Sequence, residues 1–153
     1  MTDRKPPRTV GDERSTLLEL LQFQRESMVR KVEGLDDGAV ARSPVASGTT
    51  LLWLLLHLAA AESLWVEHRI AGGAVVVPEG DGTVAGAVDA YRQAWARVDP
   101  ILSSAPLDDP CATTDGESSV TVRWVLAHLL EETARHAGHA DILRELLDGA
   151  TGR

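Results

Sequence analysis

A polar stripe running through an otherwise leucine-rich helix restricts this chain more than any other feature. His128 to Leu147 reads HLLEETARHAGHADILRELL. A helix turns about 100° per residue, so side chains three and four apart share a face. His128, Glu132, His136 and His139 follow that spacing, while Leu129, Leu130, Ile142, Leu143, Leu146 and Leu147 fall on other faces. A helix of this kind must be amphipathic and packed, and its polar stripe needs partners, because unpaired buried polar groups are costly. A divalent metal is one such partner for imidazoles and a carboxylate.

Three further segments have helical periodicity. The first begins near Asp12, carries Leu17, Leu18, Leu20, Leu21, Phe23, Met28 and Val32 on a wide apolar face, and ends at Gly34. Glu13, Arg14, Gln24, Arg25 and Arg30 are expected mostly opposite that face. Leu35 to Gly48 reads as a connecting loop with at most a short turn. Thr49 and Thr50 are N-cap candidates for a second helix that runs to about Ala71, where Gly72 and Gly73 stop it. A third covers Thr83 to roughly Ser103, with Pro100 expected to kink it or end its regular part. The fourth starts near Thr121 and ends at Gly149. No segment reads as a convincing strand. The expectation is an all-α fold, a four-helix bundle over residues 12–149, preceded by a flexible tail of residues 1–11.

Composition narrows the function classes. A net charge of −8 and the lack of a basic face exclude nucleic-acid binding. The most apolar run, Leu51 to Ala61, contains His57 and is too short to span a bilayer, so no membrane role is expected. The start, MTDRKPPRTVGDER, lacks the apolar region of a secretory signal. The single cysteine, Cys111, excludes an internal disulfide, and a cytoplasmic location is the expectation. Cys111 stands in a polar loop without a neighbouring histidine and is not read as a nucleophile.

Helical rise decides which polar residues can share an ion. His128 and His136 lie about 12 Å apart along the axis and cannot bind the same one. Glu132 with His136, or His136 with His139, can chelate. His136 belongs to both pairs and is the first candidate ligand; Glu132 and His57 follow, then His139. His57 enters because it interrupts the most apolar helix, and bundles build their sites from facing helices. His128 is expected as a supporting or core residue, and Glu62 and Asp141 as carboxylates that orient a ligand imidazole. His68 reads as a helix-end surface histidine. Trp53, Trp65, Trp95 and Trp124 are expected in the core, with Trp124 the candidate to wall a pocket. Arg123 and Arg135 are the last helix's candidates for gripping an anionic group, Arg135 otherwise facing solvent.

HLAAAESLWVEHRIAGG in the second helix and HLLEETARHAGHADILRELLDG in the fourth resemble the DinB-like superfamily of metal-binding bundles, and its mini-circle-type branch in particular. The resemblance covers about residues 12–149 and implies a DinB/YfiT-like fold. It also implies one histidine ligand from the second helix and an E-x3-H or H-x3-H pair from the fourth. His57 matches the first, Glu132 with His136 the second, and His139 falls where many relatives carry glutamine. Related proteins include thiol S-transferases and a mycothiol-dependent maleylpyruvate isomerase. The resemblance therefore implies a divalent metal (Zn²⁺, with Ni²⁺ as the other choice) that activates a low-molecular-weight, mycothiol-like thiol toward an electrophilic small molecule. The alternative is a non-catalytic metal- or small-molecule-binding bundle of a stress or resistance type. The apolar faces of the first helix and of the start of the second predict a homodimer.

Overall fold

The computed structural model describes residues 4–152. Its helices are α1 (Glu13–Arg30), α2 (Asp37–Ala41), α3 (Leu51–Glu62), α4 (Val84–Ser104) and α5 (Val122–Asp148). Each begins on an N-cap side chain: Asp12, Asp36, Thr50, Thr83 and Thr121 accept from a backbone N–H three residues on. The five-residue α2 is the short turn expected between the first two long helices. No named strand occurs among the described residues, and Pro110 pairs with Thr121 in one isolated bridge. The chain is an all-α bundle of four long helices, in which α1 packs on α5 and α3 packs on α4 and α5.

Two departures from periodicity matter. The second helix does not remain α-helical to Ala71: Ser63–Ile70 is wound as a π-helix, continuing α3 with wider turns. Pro100 was expected to kink or end α4, yet the helix continues to Ser104. Proline there removes only the donor that would have met the Ala96 carbonyl, and Ala96 is exposed, where water can replace it. Beyond it, Arg14 of α1 donates to the carbonyls of Leu102 and of Ala105 (2.6 Å for the latter), satisfying the end of α4.

The interior consists of two apolar clusters. One gathers Met28, Val32, Leu51, Leu54, Leu55, Leu58, Tyr91 and Leu143; the other Leu21, Val66, Val98, Leu102, Val125, Leu126 and Leu129. Between them lies a polar layer. Arg25 of α1 is 2% exposed and binds Glu62 of α3, 1% exposed, through Nε to Oε1 at 2.8 Å and Nη2 to Oε2 at 2.6 Å. Its Nη1 reaches Asp99 of α4 at 2.8 Å, and its guanidinium lies over the Trp95 ring. The expectation that Arg25 and Arg30 face solvent fails, since both are buried. Arg25 follows Leu21 by four residues and precedes Met28 by three, which places it on the inner face. Burial pushes the Glu62 carboxyl up, against the pull of Arg25.

The chain from Ala105 to Val120 is tied to the end of the π-helix. Arg69 donates to the Thr114 carbonyl (2.7 Å) and Glu117 (2.9 Å). His68 is more than a surface histidine: its Nε2 meets Asp115 at 2.8 Å and its Nδ1 meets the Gly73 carbonyl at 2.7 Å. Both contacts are with acceptors and suit the imidazolium, so the hydrogen bonds to Asp115 and then Gly73 raise its pKa above 6.5.

Removing one partner of the Arg25–Glu62 pair strands a buried charge. Glu62→Ala is expected to cost about 3–5 kcal/mol in denaturant unfolding, whereas replacing both residues with leucine-sized apolar groups costs far less. The His68 tie has the opposite pH sense to a carboxylate. Because its folded pKa is raised, its contribution is complete below pH 6.5 and is lost as pH rises through the folded value. Imidazole NMR titration should place the His68 midpoint above 6.5, and His68→Gln should flatten the stability profile across that window.

Candidate metal centre

The seam between α3 and α5 is antiparallel, so residues advance on α3 as they recede on α5. His57, the one polar side chain among six leucines and a tryptophan at the start of α3, therefore meets the middle of α5. His57 Nε2 lies 3.3 Å from Glu132 Oε1, and His136 Nε2 lies 3.0 Å from the same oxygen. One ligand atom from each of the three lies within 4.8 Å of the others. Tetrahedral zinc with bonds near 2.0–2.1 Å has ligand-to-ligand edges of about 3.3–3.4 Å, near the two histidine-to-Glu132 separations. Two imidazoles and a carboxylate form a donor set suited to Zn²⁺ and also to other borderline divalent ions.

Electrostatics keep Glu132 and His136 ready to ligate. Burial alone would raise the Glu132 carboxyl, but hydrogen bonds with His57 and His136 outweigh it and hold its pKa below the ordinary value. Burial lowers the His136 pKa, with Glu132 offsetting only part of the effect, so its imidazole is neutral near pH 7. The buried Nδ1 of His136 has no hydrogen-bond partner. A carboxylate usually steadies a ligand imidazole from behind, and here a tryptophan takes over part of that work. Trp53, one turn before His57, stacks on it with ring centroids 4.6 Å apart and planes 8° apart, and presents itself to His136 at 6.4 Å.

The other expected site residues separate. His139, half-buried, is outside the three-residue group. His128 lies a turn away, between Trp124 and Trp65 and hydrogen-bonded to Glu131 at 3.3 Å. Neither carboxylate proposed to orient an imidazole does so: Glu62 is taken by Arg25 and Asp141 pairs with Lys31. Arg123 is bound by Glu13 and Asp108, and Arg135 is exposed. Of the tryptophans, Trp95 is in the core, but Trp53 and Trp124 are 51% and 45% exposed. Cys111 is buried, and burial pushes its thiol pKa up, away from nucleophile behaviour. Trp53 as a wall of the site was not anticipated, although its position four residues before His57 signals it.

Volume alone would direct attention elsewhere. A depression of about 550 Å³ between the end of α1 and the start of α4, lined by Val29, Val32, Val88 and Arg92 among others, contains no histidine. Donor chemistry is the better criterion, and it selects the α3–α5 seam.

Comparison with known proteins agrees with this architecture. A crystal structure of a conserved protein from Enterococcus faecalis superposes with a TM-score of 0.66 at 16% identity, covering 92% of this chain and 100% of that one. At that identity the likeness establishes the fold alone. No curated protein matches. The family model described as mycothiol-S-transferase matches residues 16–149, a span that contains all four long helices except the first residues of α1. The chain belongs to the mycothiol S-transferase family, within the DinB-like group.

Proposed function

We propose that this protein is a divalent-metal-dependent thiol S-transferase in which His57, Glu132 and His136 hold the ion, Zn²⁺ in preference to Ni²⁺. The convergence of two Nε2 atoms on one Glu132 oxygen is the observation that carries the reading. A bound ion would lower the pKa of a low-molecular-weight thiol such as mycothiol and favour its thiolate at neutral pH. The chain's own residues supply the rest. Glu132 brings negative charge that offsets the ion, and burial favours the neutral form of the His136 imidazole. Trp53 fixes the plane of His57 and shields one side of the site from water. In the transfer, sulfur forms a bond to an electrophilic carbon, the thiol proton passes to solvent, and the displaced electron pair leaves with the departing group.

The remaining parts of the proposal are a cytoplasmic setting and a homodimer. No described helix is long and apolar enough to cross a membrane. The start of α3 does not support a dimer, because Leu51, Leu54, Leu55 and Leu58 are consumed by the monomer's core. Ile142 and Leu146, each more than half exposed on α5, are the better support. Sedimentation that gives a monomer at micromolar concentration would remove this element.

Protein purified without a histidine tag is expected to carry about one equivalent of metal, lost in His57→Ala and His136→Ala and retained in His139→Ala. Full metal content in both alanine variants of His57 and His136 would sink the site. Metal binding should also weaken as pH falls through the His136 pKa, which lies below 6.5, because protons then compete for its imidazole. Loaded protein that binds mycothiol yet transfers it to no member of an electrophile panel would favour the non-catalytic binding bundle.

A further inference from the structure

Beyond the triad, the same seam turns aromatic. Trp65, projecting from the π-helix, meets Trp124 with ring centroids 5.3 Å apart and His128 at 4.9 Å. His128 lies against Trp124 at 4.8 Å, with planes 21° apart. This stack is not sealed: Trp124 remains 45% exposed, beside a depression of about 260 Å³ lined by Trp124, Ala127, His128 and Glu131. At its rim the His128 imidazole and the Glu131 carboxylate face each other at 3.3 Å.

An open indole beside a carboxylate and an imidazole is amphipathic on a small scale. A wholly apolar ligand would cover the indole but bury the polar rim without partners. A cation could pair with Glu131 on the open indole face but would leave the His128 side of the rim without a partner. A hydroxylated six-membered ring satisfies both parts, with its C–H face on the indole and its hydroxyls on the rim. Distance supports the same occupant. His128 precedes Glu132 by one helical turn, about 6 Å along α5, so a ring seated on Trp124 can carry a short sulfur-bearing arm to the triad.

We propose that Trp124, backed by Trp65 and His128, is the platform for the sugar–cyclitol portion of the thiol substrate, with Glu131 accepting from its hydroxyls. The sulfur arm would then extend along α5 toward Glu132 and His136. This assignment rests on the thiol-transfer reading above, and it names where that thiol's non-reacting part binds.

The decisive probe is glucosaminyl-inositol, which has no sulfur, added to metal-free protein and followed by saturation-transfer NMR and tryptophan emission. Saturable binding is expected, weakened at least about fivefold in Trp124→Ala and largely restored in Trp124→Phe. Glu131→Gln should weaken it too, while Trp53→Ala should leave it unchanged. Equal affinity in wild type and Trp124→Ala would overturn the platform. So would an absence of binding, or a planar aromatic electrophile that saturates the depression where the sugar–cyclitol does not. Because neither metal nor thiol is present, loss of the metal assignment and loss of the platform give separate results.

Discussion

The buried Arg25–Glu62 pair is the interaction on which the rest of the bundle depends. It joins α1 to α3, and through Asp99 it reaches α4, at the level where the two apolar clusters meet. Hydrophobic packing is non-directional and would tolerate sliding of one helix along another. A bidentate guanidinium–carboxylate contact has fixed geometry and does not. Any slip of α3 by one turn would leave Arg25 and Glu62 buried and unpaired, and would also carry His57 away from Glu132. Structural register and the candidate metal centre are therefore set by two positions on α3, His57 and Glu62, five residues apart and facing different partners.

The division of labour along α3 follows from its unusual composition. LLWLLLHLAAAE has apolar residues nearly all round, so α3 packs on both α4 and α5 and can afford few polar positions. Its two titratable side chains, His57 and Glu62, each find partners on a neighbouring helix. Trp53, although apolar in character, lies on the open edge of the α3–α5 seam and stacks on His57. The seam thus alternates wet and aromatic layers along one line, with the triad between Trp53 at one end and Trp65 with Trp124 at the other.

Much of this was legible in the sequence. Helical periodicity located the four long helices, the threonine and aspartate caps marked their starts, and glycines marked several ends. The i, i+4 spacing of Glu132 and His136, with a histidine isolated among leucines, identified the three residues that come together. What failed needed partners that lie far away in sequence. Arg25 occupies a position between Leu21 and Met28 that belongs to the apolar face, yet its charge suggests solvent, and only Glu62 reconciles the two. Glu62 itself looked like a support for His57, because nothing local reveals that an arginine 37 residues earlier claims it. His139 shares the spacing rule with His136, but spacing cannot tell which of two adjacent histidines faces α3. The π winding left no periodic signal, since eight residues are too few to distinguish a wider turn from a narrower one.

That winding has an evolutionary consequence. A π segment accommodates an extra residue in a helix without a break in the chain, while the facing α5 stays regular. The α3–α5 seam consequently has one register before Ser63 and another after it. A deletion or insertion within Ser63–Ile70 would rotate Trp65 and the residues beyond it and leave His57 where it is. Divergence could in this way remodel one end of the groove, residue by residue, while the histidine–glutamate centre is inherited intact.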